Sequence, residues 1–134
     1  MAITAKLSDL IFGTPISNIE VPEHLNRTCP TKIDYVDSAM GGAGFTPSSV
    51  TLFTGEPGSG KTTMVLTIAS AVAKTKDSIC VFNTAEESLF QIKKTTNRLR
   101  LKGDFLTGNS TEIDDVIAGC RKLQEANPKK QMFL

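Results

Sequence analysis

The chain has 134 residues, 40% of them apolar and 22% charged, with a net charge of +1 at neutral pH. This is an ordinary soluble composition with enough apolar mass for one core; no window approaches a membrane span, and the net charge gives no global field for nucleic acid or anionic lipid, leaving only a local charged patch. Cys29, Cys80 and Cys120 are odd in number, widely spaced and form no C-x-x-C, which argues against a disulfide framework or a zinc site and fits a reducing cytoplasm.

Residues 1–30 carry three prolines (Pro15, Pro22, Pro30) and no sustained period, so they are expected to form an irregular arm with a short helix near Leu7 to Phe12. Residues 31–134 are expected to form the core. Thr31 to Met40 has Ile33, Val36, Ala39 and Met40 at helical spacing, and Gly41-Gly42-Ala43-Gly44 ends that helix in a turn. Pro47-Ser48-Ser49 then leads into Val50 to Thr54, a β-branched, apolar run that predicts a strand.

Gly55-Glu56-Pro57-Gly58-Ser59-Gly60-Lys61-Thr62 satisfies G-x-x-x-x-G-K-[ST] at every fixed position. Average residue usage gives such a match in a chain of this size at roughly the half-percent level, so a chance glycine-rich turn is a poor explanation. Lys61 to Lys74 follows as an apolar, alanine-rich helix without Gly or Pro, the context a P-loop requires. The glycines free the backbone to approach an anion, and the N–H groups from about Gly58 to Thr62 converge on phosphates at the positive helix end. Lys61 supplies charge to the β- and γ-phosphates of ATP, and the Thr62 hydroxyl is placed to ligate Mg²⁺. Thr63 is a candidate for the α-phosphate, or else bonds its own preceding turn.

Ser78 to Asn83 is a short continuous apolar strand of the kind buried on both faces of a parallel sheet. A helix is expected over Glu86 to Leu101, with Leu89, Ile92, Thr96 and Leu99 on its inner stripe and Lys93, Lys94 and Arg98 mostly off it, as a solvated face. Asp104 to Thr107 predicts a third strand, Asn109-Ser110-Thr111 a cap for a helix running to about Glu125, and Lys130 to Leu134 the opening of a fourth strand. The alternation is that of an α/β, three-layer fold with a mostly parallel sheet. A P-loop ATPase places an Asp at the end of such a fourth run for the Mg²⁺ shell, so the sheet is expected to be truncated at the start of that strand. A chain without that Asp is expected to bind nucleotide weakly and to be inactive in turnover by itself.

Thr84-Ala85-Glu86-Glu87-Ser88 lies at the carboxyl end of the second strand, on the P-loop side of the sheet. Thr84-x-x-Glu87 is a capping-box pattern, which gives Glu87 a structural task and a share of about 0.5–2 kcal/mol. Glu86 is free of that task. It can activate water at the γ-phosphate, or both acids can simply favour a helix N-terminus.

Three segments together resemble the RecA superfamily, and within it the RadA/Sms-type recombination and repair ATPases: Lys32 to Pro47, Thr54 to Thr63, and Val81 to Ser88 with Gln91-Ile92-Lys93. The carrying signals are Glu56-Pro57-Gly58 inside the P-loop, the upstream helix ending in Gly41-Gly42, and Glu86-Glu87-Ser88. The resemblance implies a three-layer P-loop core, ATP and Mg²⁺ as cofactors, Glu86 as the water-activating carboxylate with Lys61 on the phosphates, DNA as partner and assembly into a homo-oligomeric ring or filament, with no membrane. The sequence departs from that family at Ser48, where Gly is common, at Thr95, where Arg is common, and in lacking a four-cysteine module. A DnaB-like helicase core, a small-molecule or nucleotide kinase, and an ATP-dependent assembly switch share the P-loop and are the alternatives.

Overall fold

A computed structural model of the chain describes residues 12–134. The described residues form helices α1 (Asp34–Ala39), α2 (Lys61–Ala73), α3 (Leu89–Arg98) and α4 (Ile113–Ala126) and strands β1 (Ser78–Asn83), β2 (Leu106–Gly108) and β3 (Gln131–Phe133), with helix and strand alternating from α2 onward. The strands form a parallel sheet in the order β2-β1-β3. β1 is central because it is the most apolar of the three, and its first four residues are buried. Val81 pairs with Leu106 and Ile79 with Met132.

α2 packs on β1. Leu66, Ile68 and Val72 are almost fully buried, each removal from water contributing roughly 1.5–3 kcal/mol. The core continues through Ala69 and Cys80 to Val36, Cys29 and Phe45, and Phe45 meets Phe133 edge-on at 5.0 Å. Cys29 and Phe45 exchange both backbone hydrogen bonds, at 2.8 and 2.9 Å, which pins the chain entering the core to the chain leaving α1. Before α1, the Asp37 carboxylate accepts from the Thr31 N–H and hydroxyl and the Lys32 N–H at 2.7–2.9 Å. Partial burial pushes this carboxyl up, but those donors outweigh it and hold it below its ordinary value.

The expected elements at β1, β2, β3 and α4 are present within a few residues of their predicted bounds, and α1 is shorter than the Thr31–Met40 pattern suggests. Of the helix expected near Leu7 to Phe12, all but Phe12, which stands in a turn, lies outside the described residues. Residues 12–28 contain two 3₁₀ turns, Ile16–Asn18 and Glu23–Asn26, and bury no side chain in either. One expected strand is absent among the described residues. Val50 to Thr54 joins no strand, and Val50 and Leu52 are 100% and 83% exposed. Strand-forming residues express a preference for a paired, half-covered pleat, and among the described residues none supplies either the ladder or the cover.

Among the described residues three non-glycines hold left-handed backbone, Lys32 (φ 61°), Ser48 (φ 58°) and Arg100 (φ 54°). Ser48 thus occupies a conformation that glycine suits, which gives a physical reason for the glycine common there in the resembling family.

Burial in β1, reinforced by the neighbouring Cys29, pushes the Cys80 thiol from 9.0 up to about 12. The unfolded chain therefore loses this proton first. Stability is expected to be unaffected by this group below pH 9.0 and to fall by up to about 1.4 kcal/mol per pH unit between 9.0 and about 12. Urea melts at pH 8 and 10.5 check this: the difference between the two should shrink in Cys80→Ala, and an equal difference would remove Cys80 as its source.

Candidate nucleotide-binding site

The P-loop makes its turn with little side-chain help. Gly58 (φ 78°) and Gly60 (φ 92°) take left-handed backbone, and Gly60 is the N-cap of α2. At Gly55 a Cβ would stand 2.6 Å from the Ser59 hydroxyl, which would have to rotate away to admit one. The Ser59 N–H donates to the Glu56 carbonyl at 3.1 Å, forming the turn through Pro57. No side chain caps α2. The leading N–H groups of that helix therefore remain available to an anion, and its first turn carries no acidic residue to compete.

Lys61 folds back over the loop. Its Nζ donates to the Gly55 carbonyl at 2.7 Å and the Glu56 carbonyl at 2.9 Å, which holds the ammonium at the loop mouth. Thr62 is exposed and lines a cavity of about 190 Å³ with Phe82, Asn83, Thr84, Ala85, Glu86, Glu87 and Ile92. Thr62 and Glu86, separated in sequence by the rest of α2 and by β1, thus line one space. The Thr63 hydroxyl makes no hydrogen bond among the described residues, and it is Thr67 that bonds back, to the Thr63 carbonyl at 2.7 Å.

The carboxyl edge of β1 is built differently from the sequence expectation. Thr84 does accept from the Glu87 N–H at 3.2 Å, but its hydroxyl also donates to the Glu87 carbonyl at 2.8 Å. The Thr84 N–H donates to the Gly108 carbonyl at 3.0 Å, prolonging the β1–β2 pairing. That bond takes the donor that Glu87 was expected to cap. The helix accordingly starts later, at Leu89, and the capping box is Ser88 with Gln91. The Gln91 N–H donates to the Ser88 hydroxyl at 3.3 Å, and the Ser88 N–H donates to the Gln91 side-chain oxygen at 3.0 Å. Ser88-x-x-Gln91 was present in the sequence beside Thr84-x-x-Glu87, and only the tertiary bond to Gly108 decides between them. Ser88→Ala is therefore expected to cost about 1 kcal/mol in a thermal melt, and Glu87→Ala less than about 0.5 kcal/mol. The reverse order would restore Glu87 as the capping residue.

Asn83 fixes the other side of this edge. Its amide donates to the Ser110 carbonyl at 2.9 Å and accepts from the Ser110 N–H at 3.1 Å, clamping the loop after β2. Pattern reasoning had no signal for Asn83, since its role depends on a partner 27 residues away.

A left-handed glycine loop opening an uncapped helix, with a lysine at its mouth and a hydroxyl and a carboxylate lining one cavity, has the form of a P-loop. Residues 29–131 match the family described as ATPase: KaiC, and the chain belongs to this family of RecA-superfamily P-loop ATPases. It is similar to the DNA repair protein RadA of Mycobacterium tuberculosis H37Rv, at 36% identity over 104 residues, 78% of this chain and 19% of that protein. It is also similar to the DNA repair protein RadA of Rickettsia felis (38% over 92 residues, 66% and 20%) and of Aquifex aeolicus (37% over 92 residues, 69% and 20%). The chain spans about a fifth of the length of these relatives. No solved structure matches it. Among the described residues, no helix is long and apolar enough to cross a membrane.

Proposed function

We propose that residues 31–134 belong to a RecA-like core that binds Mg²⁺-ATP and hydrolyses it in DNA repair or recombination, within a cytoplasmic homo-oligomeric ring or filament. The observation that carries the reading is the shared cavity of Thr62 and Glu86 beside the P-loop. The N–H groups from Gly58 to Thr62 receive the phosphate oxygens, helped by the backbone of Gly55, Glu56, Pro57 and Ser59 that shapes the loop. Lys61 exchanges its two loop carbonyls for the β- and γ-phosphates, Thr62 offers its hydroxyl to the metal, and Thr63 reaches toward the α-phosphate. Mg²⁺, when bound, neutralises charge on the β- and γ-oxygens. Glu86 orients and deprotonates the attacking water; it is exposed at the mouth of that cavity and engaged by no capping bond. DNA as the partner is supported by the relatives, each of which is a DNA repair protein.

Glu86→Gln tests the division of roles. It is expected to leave Mg²⁺-ATP affinity within about twofold and stability near unchanged while lowering single-turnover phosphate release, with protein in excess, by roughly 10²–10⁴-fold. Equal release by the variant would remove Glu86 from catalysis and favour the assembly-switch reading, in which ATP joins subunits without turnover.

A further inference from the structure

We propose that Asn83 is a positioning residue for hydrolysis: its side-chain amide ties the end of β1 to the loop leaving β2 and thereby fixes where Glu86 stands at the nucleotide cavity. The inference rests on the reading of Glu86 as the water-activating carboxylate and identifies what holds that carboxylate in place.

Glu86 has no support of its own. It is exposed, and its side chain makes no hydrogen bond or ion pair among the described residues, so its direction is inherited from the backbone of Thr84 to Ser88. That backbone is a short turn closed twice by one hydroxyl. Thr84 Oγ1 accepts from the Glu87 N–H at 3.2 Å and donates to the Glu87 carbonyl at 2.8 Å, leaving Ala85 and Glu86 at the tip. Thr84 is itself only 8% exposed, and its N–H is anchored on the Gly108 carbonyl at 3.0 Å. The turn that carries Glu86 therefore hangs from the carboxyl end of β2.

The pairing there is short. β1 and β2 share three residue pairs, the last being Asn83 with Gly108, before the two chains part toward α3 and α4. Asn83 extends the hold past the end of the ladder. Its amide donates to the Ser110 carbonyl at 2.9 Å and its oxygen accepts from the Ser110 N–H at 3.1 Å, so one side chain occupies both backbone groups of a residue two positions beyond β2. Gly108 makes the room, since a Cβ there would stand 2.7 Å from Asn83 Oδ1. Asparagine is a poor strand residue, and Ile79 to Phe82 before it are all apolar. The amide thus costs β1 some strand preference, and what it supplies in return is the fit to Gly108 and to the Ser110 backbone. Ser110 also lines a second cavity, of about 290 Å³ under α4, where water can satisfy its backbone groups once the amide is removed. Loss of the clamp therefore loosens the edge that carries Glu86 without emptying the core. A carboxylate that activates water must lie within hydrogen-bond reach of it, and a displacement of about 1 Å costs roughly 10²-fold in rate.

The test combines ¹⁵N amide shifts with single-turnover phosphate release, protein in excess, in wild type, Asn83→Val, Gly108→Ala, Glu86→Gln and Asn83→Val with Glu86→Gln. Gly108→Ala keeps the amide but crowds it off Ser110, and it carries the test if the valine variant does not fold. Both single variants are expected to hold Mg²⁺-ATP affinity within about twofold and to keep the nucleotide-induced shifts at Gly58 to Thr62. They are expected to lose at least about half the shift at Glu86 and Glu87 and to slow release roughly 10- to 100-fold. In the Glu86→Gln background, Asn83→Val is expected to slow release by less than about twofold, because a residue that acts through Glu86 has nothing left to position. Loss by the same factor in both backgrounds would assign Asn83 to the fold alone and overturn the proposal. Wild-type shifts at Glu86 and Glu87 in both single variants would also overturn it, and where release is too slow to follow, the shifts decide by themselves. If Glu86→Gln releases phosphate as fast as wild type, the catalytic reading of Glu86 fails and the proposal with it, a result seen without any change at Asn83.

Discussion

Lys61→Ala is expected to reduce Mg²⁺-ATP affinity by roughly 10²–10⁴-fold, the equivalent of losing two charge-assisted hydrogen bonds to the β- and γ-phosphates. In the resting loop Nζ already has two acceptors, the Gly55 and Glu56 carbonyls at 2.7 and 2.9 Å. Those carbonyls are neutral, whereas a triphosphate presents several full charges, so the exchange favours nucleotide. The backbone nest survives the substitution, because Gly58 and Gly60 set its shape without the lysine. A nest of partial charges alone still accepts an anion but loses most of its preference for the triphosphate. Calorimetry with Mg²⁺-ATP decides the matter. Equal affinities in the two proteins would place the nucleotide somewhere else. A thermal melt alongside separates loss of the site from loss of the fold, since the lysine's contribution to stability is limited to an exposed loop contact of about 1 kcal/mol or less.

Gly103→Ala is expected to destabilise the chain by about 3 kcal/mol or more. A Cβ built on Gly103 would stand 1.8 Å from the Ser70 carbonyl oxygen, 2.6 Å from its carbon and 2.8 Å from its Cα, all backbone atoms of α2. No flexible side chain can yield there. Ser70 is 2% exposed, and its hydroxyl accepts from the Gly103 N–H at 2.8 Å, so the segment after α3 is seated directly on the P-loop helix. Relief requires a shift of α2 or of the segment, and overpacking of this kind exceeds the usual 1–3 kcal/mol when backbone meets backbone. Ser70→Ala removes the hydrogen bond without the clash and should cost only about 1 kcal/mol. The two variants together, read by urea denaturation, distinguish close approach from a polar contact. If Gly103→Ala melted within about 0.5 kcal/mol of wild type, α2 and the segment after α3 would not be in contact. A partial shift of α2 would also displace Lys61 and Thr62 at its N-terminus, so nucleotide affinity is expected to fall in parallel.

Much of the site was legible because its physics is local. A P-loop is defined by the conformational freedom of glycine and the donors of one helix end, both carried by consecutive residues, and the burial of β1 shows in its own apolar run. What failed depended on distant partners. Val50 to Thr54 has strand-forming residues, but pairing is a property of two chains, and none of the described residues offers the second. The start of α3 was misplaced because Thr84 and Ser88 both open a capping-box pattern, and the choice is made by the Gly108 carbonyl on a neighbouring strand. Asn83 and Gly103 gave no signal for the same reason; their partners, Ser110 and Ser70, lie 27 and 33 residues away. Arg100 and Ser48 hide left-handed positions behind residues that rarely adopt them.

The central claim is that the turn from Gly55 to Thr62 and the carboxylate of Glu86 belong to one nucleotide site. Amide chemical-shift mapping of the ¹⁵N-labelled chain on titration with Mg²⁺-ATP tests it most directly. The account predicts the largest shifts at Gly58, Gly60, Lys61 and Thr62, a second set at Glu86 and Glu87 across the cavity, and the loss of both sets in Lys61→Ala. Saturable shifts confined to other surfaces, or P-loop shifts that leave Glu86 and Glu87 unmoved at saturation, would contradict it.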